Sequence, residues 1–259
     1  MIVTDQTGYK LELEGIPQRI ISIVPSQSEL LWDLGLRKEL VGITKFCVHP
    51  DEMYRKIEIV GGTKKLNMDK IRELKPDLII GNKEENEQSQ IEELRKEFPV
   101  WLSDIYDLSD AYDMISSLGE ITSKQEVARE IIKHIQENFA QLDVSNFKGK
   151  KAAYFIWYDP FMAAASNTFI NYLLGKLGII NVFSYLSRYP ELNASQIKSA
   201  APDYIFLSSE PFPFKEKHME EFRQICPDAQ IMLVDGEMFS WYGSRLQYAP
   251  AYLESMNLK

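Results

Sequence analysis

Along the chain, short apolar runs alternate with segments whose apolar residues recur every three or four positions. That is the rhythm of strands and helices in a parallel α/β layer. Residues 9–13 alternate polar and apolar, as one arm of a short edge hairpin does. Residues 19–24 form an almost continuous apolar run, the pattern of a strand buried on both faces. Ser26 and Glu29 follow at capping-box spacing, so a helix is expected from about Gln27 to Leu34, with Gly35 ending it. Further strands are predicted over 41–44, 57–60, 78–81 and 100–102, with a helix across 87–97.

The middle of the chain changes character. Residues 109–142 contain no proline and one glycine, Gly119, and Val127, Ile131, Ile135 and Phe139 step by four. A second capping-box spacing, Ser123 with Glu126, predicts a break near Thr122 between a helix over 109–121 and a longer one over 124–142. At 1.5 Å per residue the longer helix would span roughly 28 Å. The α/β rhythm then restarts, with strands predicted over 152–157, 204–207 and 231–234 and helices over 169–177, 216–224 and 246–256. The expected organisation is an N-terminal lobe over 1–108, linking helices over 109–145 and a C-terminal lobe over 146–259.

An internal repeat supports two similar lobes. Residues 67–79 and 193–205 match at Asn67 and Asn193, Ile71 and Ile197, Pro76 and Pro202, Asp77 and Asp203, and Ile79 and Ile205. In each copy asparagine is expected to cap a short helix, isoleucine to face the core, proline to end the helix and aspartate to open a buried strand.

Composition narrows the function. The 259 residues are 45% hydrophobic, with 13 Phe, 13 Tyr and 4 Trp, which is material for a packed core and excludes disorder as the main state. A net charge of −9 lacks the basic footprint of a nucleic-acid or anionic-membrane partner. No apolar run approaches the ~18 residues of a membrane span. Two cysteines, Cys47 and Cys226, cannot build a disulfide framework, although a single bridge stays open. The N-terminal residues have neither a basic segment nor an apolar core of an export signal, so they read as cytoplasmic, with a periplasmic or cell-surface location the alternative if a leader was removed.

Two similar α/β lobes joined by a long helix, with a Pro-Ser turn after the first buried strand, resemble the helical-backbone metal-receptor superfamily. The residues that carry the resemblance are 19–26 with Glu29, 60–62, 67–80, 118–122, 168–171 with Gly178, 181–183 and Pro202 with Asp203. These receptors are the class III solute-binding proteins of ABC importers. They are non-enzymatic, need no cofactor, and capture cobalamin, ferric siderophores, haem or metal ions. Residues 239–245 are most similar to the cobalamin branch. The resemblance implies a fold of two Rossmann-like lobes with mostly parallel sheets. It further implies a metal-containing small-molecule ligand in an interlobe cleft, a cobalamin-like corrinoid first and a ferric chelate or haem second. A cytosolic carrier or sensor of the same ligand is the alternative.

In parallel sheets the ligand lies beyond the carboxyl ends of the strands, so the loops there are the candidates. They are rich in aromatics, which suit a broad flat macrocycle. The candidate ligand contacts are Phe46, His49, Thr63, Lys64, Trp157, Tyr158, Phe161, Glu237, Phe239, Trp241, Tyr242 and Arg245. Core packing is the competing reading for the aromatics, and solvated surface for the lysine. Cys47 and His49 are a possible metal pair, although a zinc site takes three or four ligands. His218 is expected on a surface helix. The resemblance also implies docking to a permease through an acidic residue on each lobe, where this chain has Asp69 and Ser195, with Glu191 near the second. An enzyme would need Ser26, His49 and Asp69 as nucleophile, base and orienter, but no strand-turn-helix nucleophile motif surrounds Ser26, and no phosphate-binding glycine motif appears.

Overall fold

The computed structural model describes residues 1–256 and Leu258. These form two compact units: Met1–Glu137 with Tyr242–Gln247, and Asn138–Trp241 with the chain from Tyr248 onward.

The first unit opens with an antiparallel pair, β1 (Ile2–Thr4) and β2 (Lys10–Glu12). It continues through β3 (Ile20–Ser22), α1 (Pro25–Asp33), β4 (Leu40–Ile43), α2 (Asp51–Lys56), β5 (Glu58–Ile59), the small hairpin β6 (Gly61–Gly62) and β7 (Lys65–Leu66), α3 (Met68–Leu74), β8 (Leu78–Asn82), α4 (Gln88–Leu94), β9 (Val100–Ser103) and α5 (Leu108–Ile121). Its main sheet has the order β5-β4-β3-β8-β9, parallel throughout. Both faces are covered, which is why β3 and β8 are apolar and buried at nearly every position.

The chain leaves the first unit within α6 (Gln125–Gln141). The second unit holds β10 (Lys151–Trp157), β11 (Phe161–Ala163), α7 (Phe169–Lys176), β12 (Ile180–Asn181), β13 (Glu191–Leu192), α8 (Ala194–Ala200), β14 (Tyr204–Ser208), α9 (Glu216–Ile225), β15 (Gln230–Val234), α10 (Glu237–Ser240) and α11 (Ala249–Ser255). Its sheet runs β13-β11-β10-β14-β15, with β12 also on β10. β10, β12, β14 and β15 are parallel, and β11 turns back antiparallel against β10 and β13. The chain is therefore α/β, with a mostly parallel sheet in each unit.

The repeat is structural in detail. Asn67 caps α3 by accepting from Lys70 N, and Asn193 caps α8 by accepting from Gln196 N. The caps that end these helices, Lys75 and Ala201, both take left-handed backbone (φ +46° and +43°) ahead of the prolines. The aspartates do more than open β8 and β14. Asp77 accepts from the backbone N–H of Gln18 and Arg19 (2.7 and 2.8 Å), and Asp203 from that of Lys151 (2.8 Å). Each carboxylate thus clamps the entrance of the neighbouring central strand, β3 or β10.

Three local expectations change. Helix α1 starts at Pro25, whose fixed φ and missing N–H suit a first helical position. Ser26 therefore lies inside the helix, its hydroxyl buried without a hydrogen-bond partner, and no capping box forms. The break between α5 and α6 falls where predicted, but Ser123 (φ +56°) closes α5: its N–H reaches Glu120 O (3.2 Å) and that of Lys124 reaches Gly119 O (2.7 Å), a Schellman closure. The predicted final helix splits into a 3₁₀ turn, Ser244–Gln247, and α11.

Gly119 sits where α5 and α6 touch. A Cβ built there would lie 2.5 Å from the Cβ of Ala128. Gly119→Ala must push the helices apart, at an expected cost of about 1–3 kcal/mol in urea unfolding. Gly175→Ala, a helical position with open space around it, is the contrasting variant and should be neutral or slightly stabilising.

Candidate functional site

In the first unit β3 is the pivot: the chain moves to β4 on one side and to β8 on the other. Such a switch point opens a crevice beyond the carboxyl ends of the strands. Phe46, after β4, stands 49% exposed there, with Lys45 Nζ 5.0 Å above its ring and Gly62 against its edge. The β6–β7 hairpin carrying Thr63 and Lys64 is braced from below. Asn86 Nδ2 donates to Thr63 O and to Ile23 O (both 3.1 Å), while its Oδ1 accepts from Asn82 N (2.8 Å). Gln90 accepts from Leu66 N (2.7 Å) and donates to Lys64 O (2.8 Å), and Lys64 Nζ donates to Glu84 O (2.9 Å).

The strap Tyr242–Gln247 belongs to this unit although its sequence neighbours do not. Gly243 lies so close to α1 that a Cβ would be 2.5 Å from Ser26 O. Tyr242 Oη donates to Glu85 (3.4 Å) and Ser244 Oγ to Asp33 (2.5 Å). Arg245 makes a two-pronged bond to Glu29, with Nε and Nη2 at 2.8 and 2.6 Å. Both side chains are nearly buried. Burial pushes the Glu29 carboxyl above its ordinary value, Arg245 and His49 pull it down, and Asp33 adds to the rise. Glu29, expected to close a capping box, instead holds the strap.

In the second unit two loops leave the carboxyl ends of β10 and β14, over 157–161 and 208–214. Trp157 is 40% exposed, its indole N–H fixed on Asp159 O (3.1 Å). Its ring meets Phe212 edge-on at 5.6 Å, and Phe212 stacks on Tyr158 at 5.6 Å with a 23° interplanar angle. Tyr158 Oη donates to Glu221 on α9, and that hydrogen bond raises the phenol pKa. Phe161 begins β11 and packs on Phe155 and Phe222, half in the core. Phe212 is the member of this group that the candidate contacts omit. The Phe-Pro-Phe run after a strand was its signal.

The loop after β15 is placed differently from its aperiodic sequence. It contains α10, and Phe239 is wholly buried against Tyr154 (5.0 Å) and Phe206 (6.3 Å). Trp241 is also buried, its indole N–H on Glu210 Oε1 (2.8 Å) beside Ser240 Oγ (2.8 Å). Tyr242 is buried in the strap. These three aromatics pack the interior, and Arg245 spends its guanidinium on Glu29. Glu237 is half-buried beside Glu210, whose carboxyl burial pushes up to about 7.

Cys47 is fully buried, its thiol on Ser28 Oγ and Thr44 Oγ1 (both 3.1 Å), and burial pushes its pKa up. Among the described residues no group of three or more His, Cys, Asp and Glu could hold a metal ion, so Cys47 and His49 are not joined by a third ligand. Both cysteines are free thiols. Ser26, His49 and Asp69 do not assemble into a nucleophile, base and orienter: the Ser26 hydroxyl has no partner, and Asp69, 97% exposed, pairs with Arg72. Ser195 lies in the first turn of α8, with Glu191 just before it on β13. His218, expected on a surface helix, is buried beneath the second unit's aromatics. No helix among the described residues is long and apolar enough to cross a membrane.

A family model described as periplasmic binding protein matches residues 20–224. A vitamin B12-binding protein of Pectobacterium atrosepticum is 26% identical over 243 residues, 90% of this chain and 86% of that relative. An uncharacterized ABC transporter substrate-binding lipoprotein of Bacillus subtilis is 24% identical over 215 residues, 78% of this chain and 67% of the relative. The crystal structure of a periplasmic vitamin B12 binding protein of Vibrio cholerae superposes with a TM-score of 0.78 over 94% of this chain and 99% of that one, at 22% identity, and so shares its fold. With the matching model reaching from β3 into α9, the chain belongs to the periplasmic binding protein family.

Proposed function

We propose that this protein is the solute-binding component of an ABC-type importer and captures a cobalamin-like corrinoid, without catalysing a reaction. The observation that carries the reading is the aromatic surface of Trp157, Tyr158 and Phe212 at the carboxyl edge of the second unit's sheet. Phe46 is a further exposed ring at the corresponding edge of the first. A corrin offers a flat apolar face with polar groups at its rim, which such rings and their neighbouring backbone groups suit. The vitamin B12-binding relatives support that ligand over haem or a ferric siderophore. The family and the lipoprotein relative support a location outside the cytoplasm, against what the N-terminal residues alone suggest. Thr63 and Lys64 are proposed as rim contacts. Docking to a permease through Asp69, exposed on the surface of α3 beside Arg72, and through the Ser195 region belongs to the same reading.

Calorimetric titration of the purified protein with hydroxocobalamin tests it. Saturable binding is expected, weakened severalfold in Trp157→Ala, since an aromatic contact contributes about 0.5–1.5 kcal/mol beyond its buried area. No saturable binding up to roughly millimolar hydroxocobalamin overturns the corrinoid reading. Parallel titrations with hemin and a ferric hydroxamate then show whether another chelate is the cargo.

A further inference from the structure

Beneath the second unit's aromatic surface lies one buried imidazole. The backbone N–H of Lys215 donates to His218 Nδ1 at 2.9 Å, closing the first turn of α9. A nitrogen that accepts must carry a lone pair, so the ring is neutral with its proton on Nε2. The imidazole faces Tyr158 at 4.7 Å, Phe212 at 5.2 Å and Phe214 at 5.7 Å. It thus touches two of the three rings proposed to meet the ligand, and the third, Trp157, rests on Phe212.

We infer that His218 is the positioning residue of this aromatic surface, and that uptake of a proton at Nδ1 in mild acid releases the surface and weakens ligand capture. The second clause rests on the proposal that Trp157, Tyr158 and Phe212 meet the cargo. A protonated imidazole has two N–H donors and no acceptor, so the Lys215 N–H would face an N–H. The ring must turn or α9 must lose its closure, and either movement takes the support from Tyr158 and Phe212.

The charged neighbours define the response. Lys215 and Lys217, on the same stretch of chain, oppose the imidazolium. Glu221, one turn on along α9, favours it, but its carboxylate already accepts from Tyr158. From the β10–β11 turn comes Tyr158, whose hydroxyl is taken up by that same carboxylate. Burial and the two lysines hold the imidazole below its ordinary pKa. Its folded value being depressed, the neutral ring stabilises this arrangement above the unfolded pKa, and that stabilisation is lost as pH falls.

The four tryptophans supply a readout that needs no ligand, because Trp157 is exposed while Trp32, Trp101 and Trp241 are buried. Acrylamide quenching of the wild type minus that of Trp157→Phe isolates it. This difference is expected to titrate below about pH 6.5, as pH falls through the depressed folded-state value. His218→Gln should flatten the profile, since a glutamine oxygen can accept the same N–H without titrating. Glu210→Gln should leave it titrating. A flat wild-type profile, a His218→Gln protein that still titrates, or a Glu210→Gln protein that no longer does would each overturn the role of His218. Hydroxocobalamin binding by the wild type should weaken by up to about tenfold at one pH unit below the midpoint, where about a tenth of the rings are neutral, and hold constant in His218→Gln. Unchanged wild-type affinity across the midpoint overturns the coupling to capture. A titrating Trp157 signal in a protein that binds no hydroxocobalamin at any pH leaves His218 in its positioning role and overturns the corrinoid reading instead.

Discussion

Arg245→Ala is expected to cost the fold about 3–5 kcal/mol near neutral pH, because it leaves the Glu29 carboxylate nearly buried without its guanidinium. Urea unfolding followed by far-ultraviolet circular dichroism measures this, and the loss should depend on pH. Glu29 already has a raised folded-state pKa, mainly from burial, and losing Arg245 raises it further. A raised carboxyl contributes its stability in the protonated form, present below the unfolded pKa and lost as pH rises through the folded one. The variant should therefore fall furthest below the wild type at neutral pH and recover part of the difference in mild acid. Glu29→Leu combined with Arg245→Met, which removes both charges and keeps the volume, should restore most of the neutral-pH stability. A loss that is the same at all pH values would show that the guanidinium acts by packing alone.

Gly61→Ala is expected to be of similar size, about 2–5 kcal/mol, for two reasons that act together. Its φ of +111° lies where only glycine is comfortable, and an added Cβ would meet Lys65 O at 2.6 Å and Asn67 N at 2.9 Å. Those are backbone atoms of the hairpin that carries Thr63 and Lys64 and of the cap of α3, so neither can step aside cheaply. Gly149→Ala is the control, with φ +79° and nothing within 4 Å, and should cost only about 1–2 kcal/mol. Equal losses in the two variants would assign the whole effect at Gly61 to its backbone angle.

The longer strands and helices were legible because those strands are compact apolar runs and most of those helices show a 3.6-residue stripe, whereas β11, β12, β13 and α2, two to six residues long, left no such pattern. The repeat around Asn67 and Asn193 was legible because asparagine caps and prolines are local chemistry. Its aspartates were only half read, since Asp77 and Asp203 bind strand entrances 58 and 52 residues distant, and no local pattern encodes that. The same limit applies to Glu29. Its spacing from Ser26 matches a capping box, while its partner is 216 residues away in sequence. Among the candidate contacts, Trp157 and Tyr158 were recoverable from their place after an apolar strand. Phe239, Trp241 and Tyr242 look alike in an aperiodic glycine-flanked loop, yet the first packs on Tyr154 and Phe206 and the second gives its N–H to Glu210. Burial of that kind is decided by tertiary neighbours, which a loop's own residues do not reveal.

The strap Tyr242–Gln247 imposes an order on biosynthesis. Domains on a growing chain tend to fold as soon as their residues have emerged, the N-terminal one first. Here the stretch Met1–Glu137 lacks one of its own parts until Gln247 has been made, 110 residues later. At ribosomal speeds that delay is roughly five to twenty seconds. During it the nascent first unit holds Glu29 and Asp33 with no Arg245 or Ser244 to meet them, and the first turn of α1 lies without its Gly243 cover. A ribosome stalled once residue 137 has cleared the exit tunnel, but before the strap has, should therefore present a protease-sensitive first unit, whereas one stalled after the strap has cleared it should not.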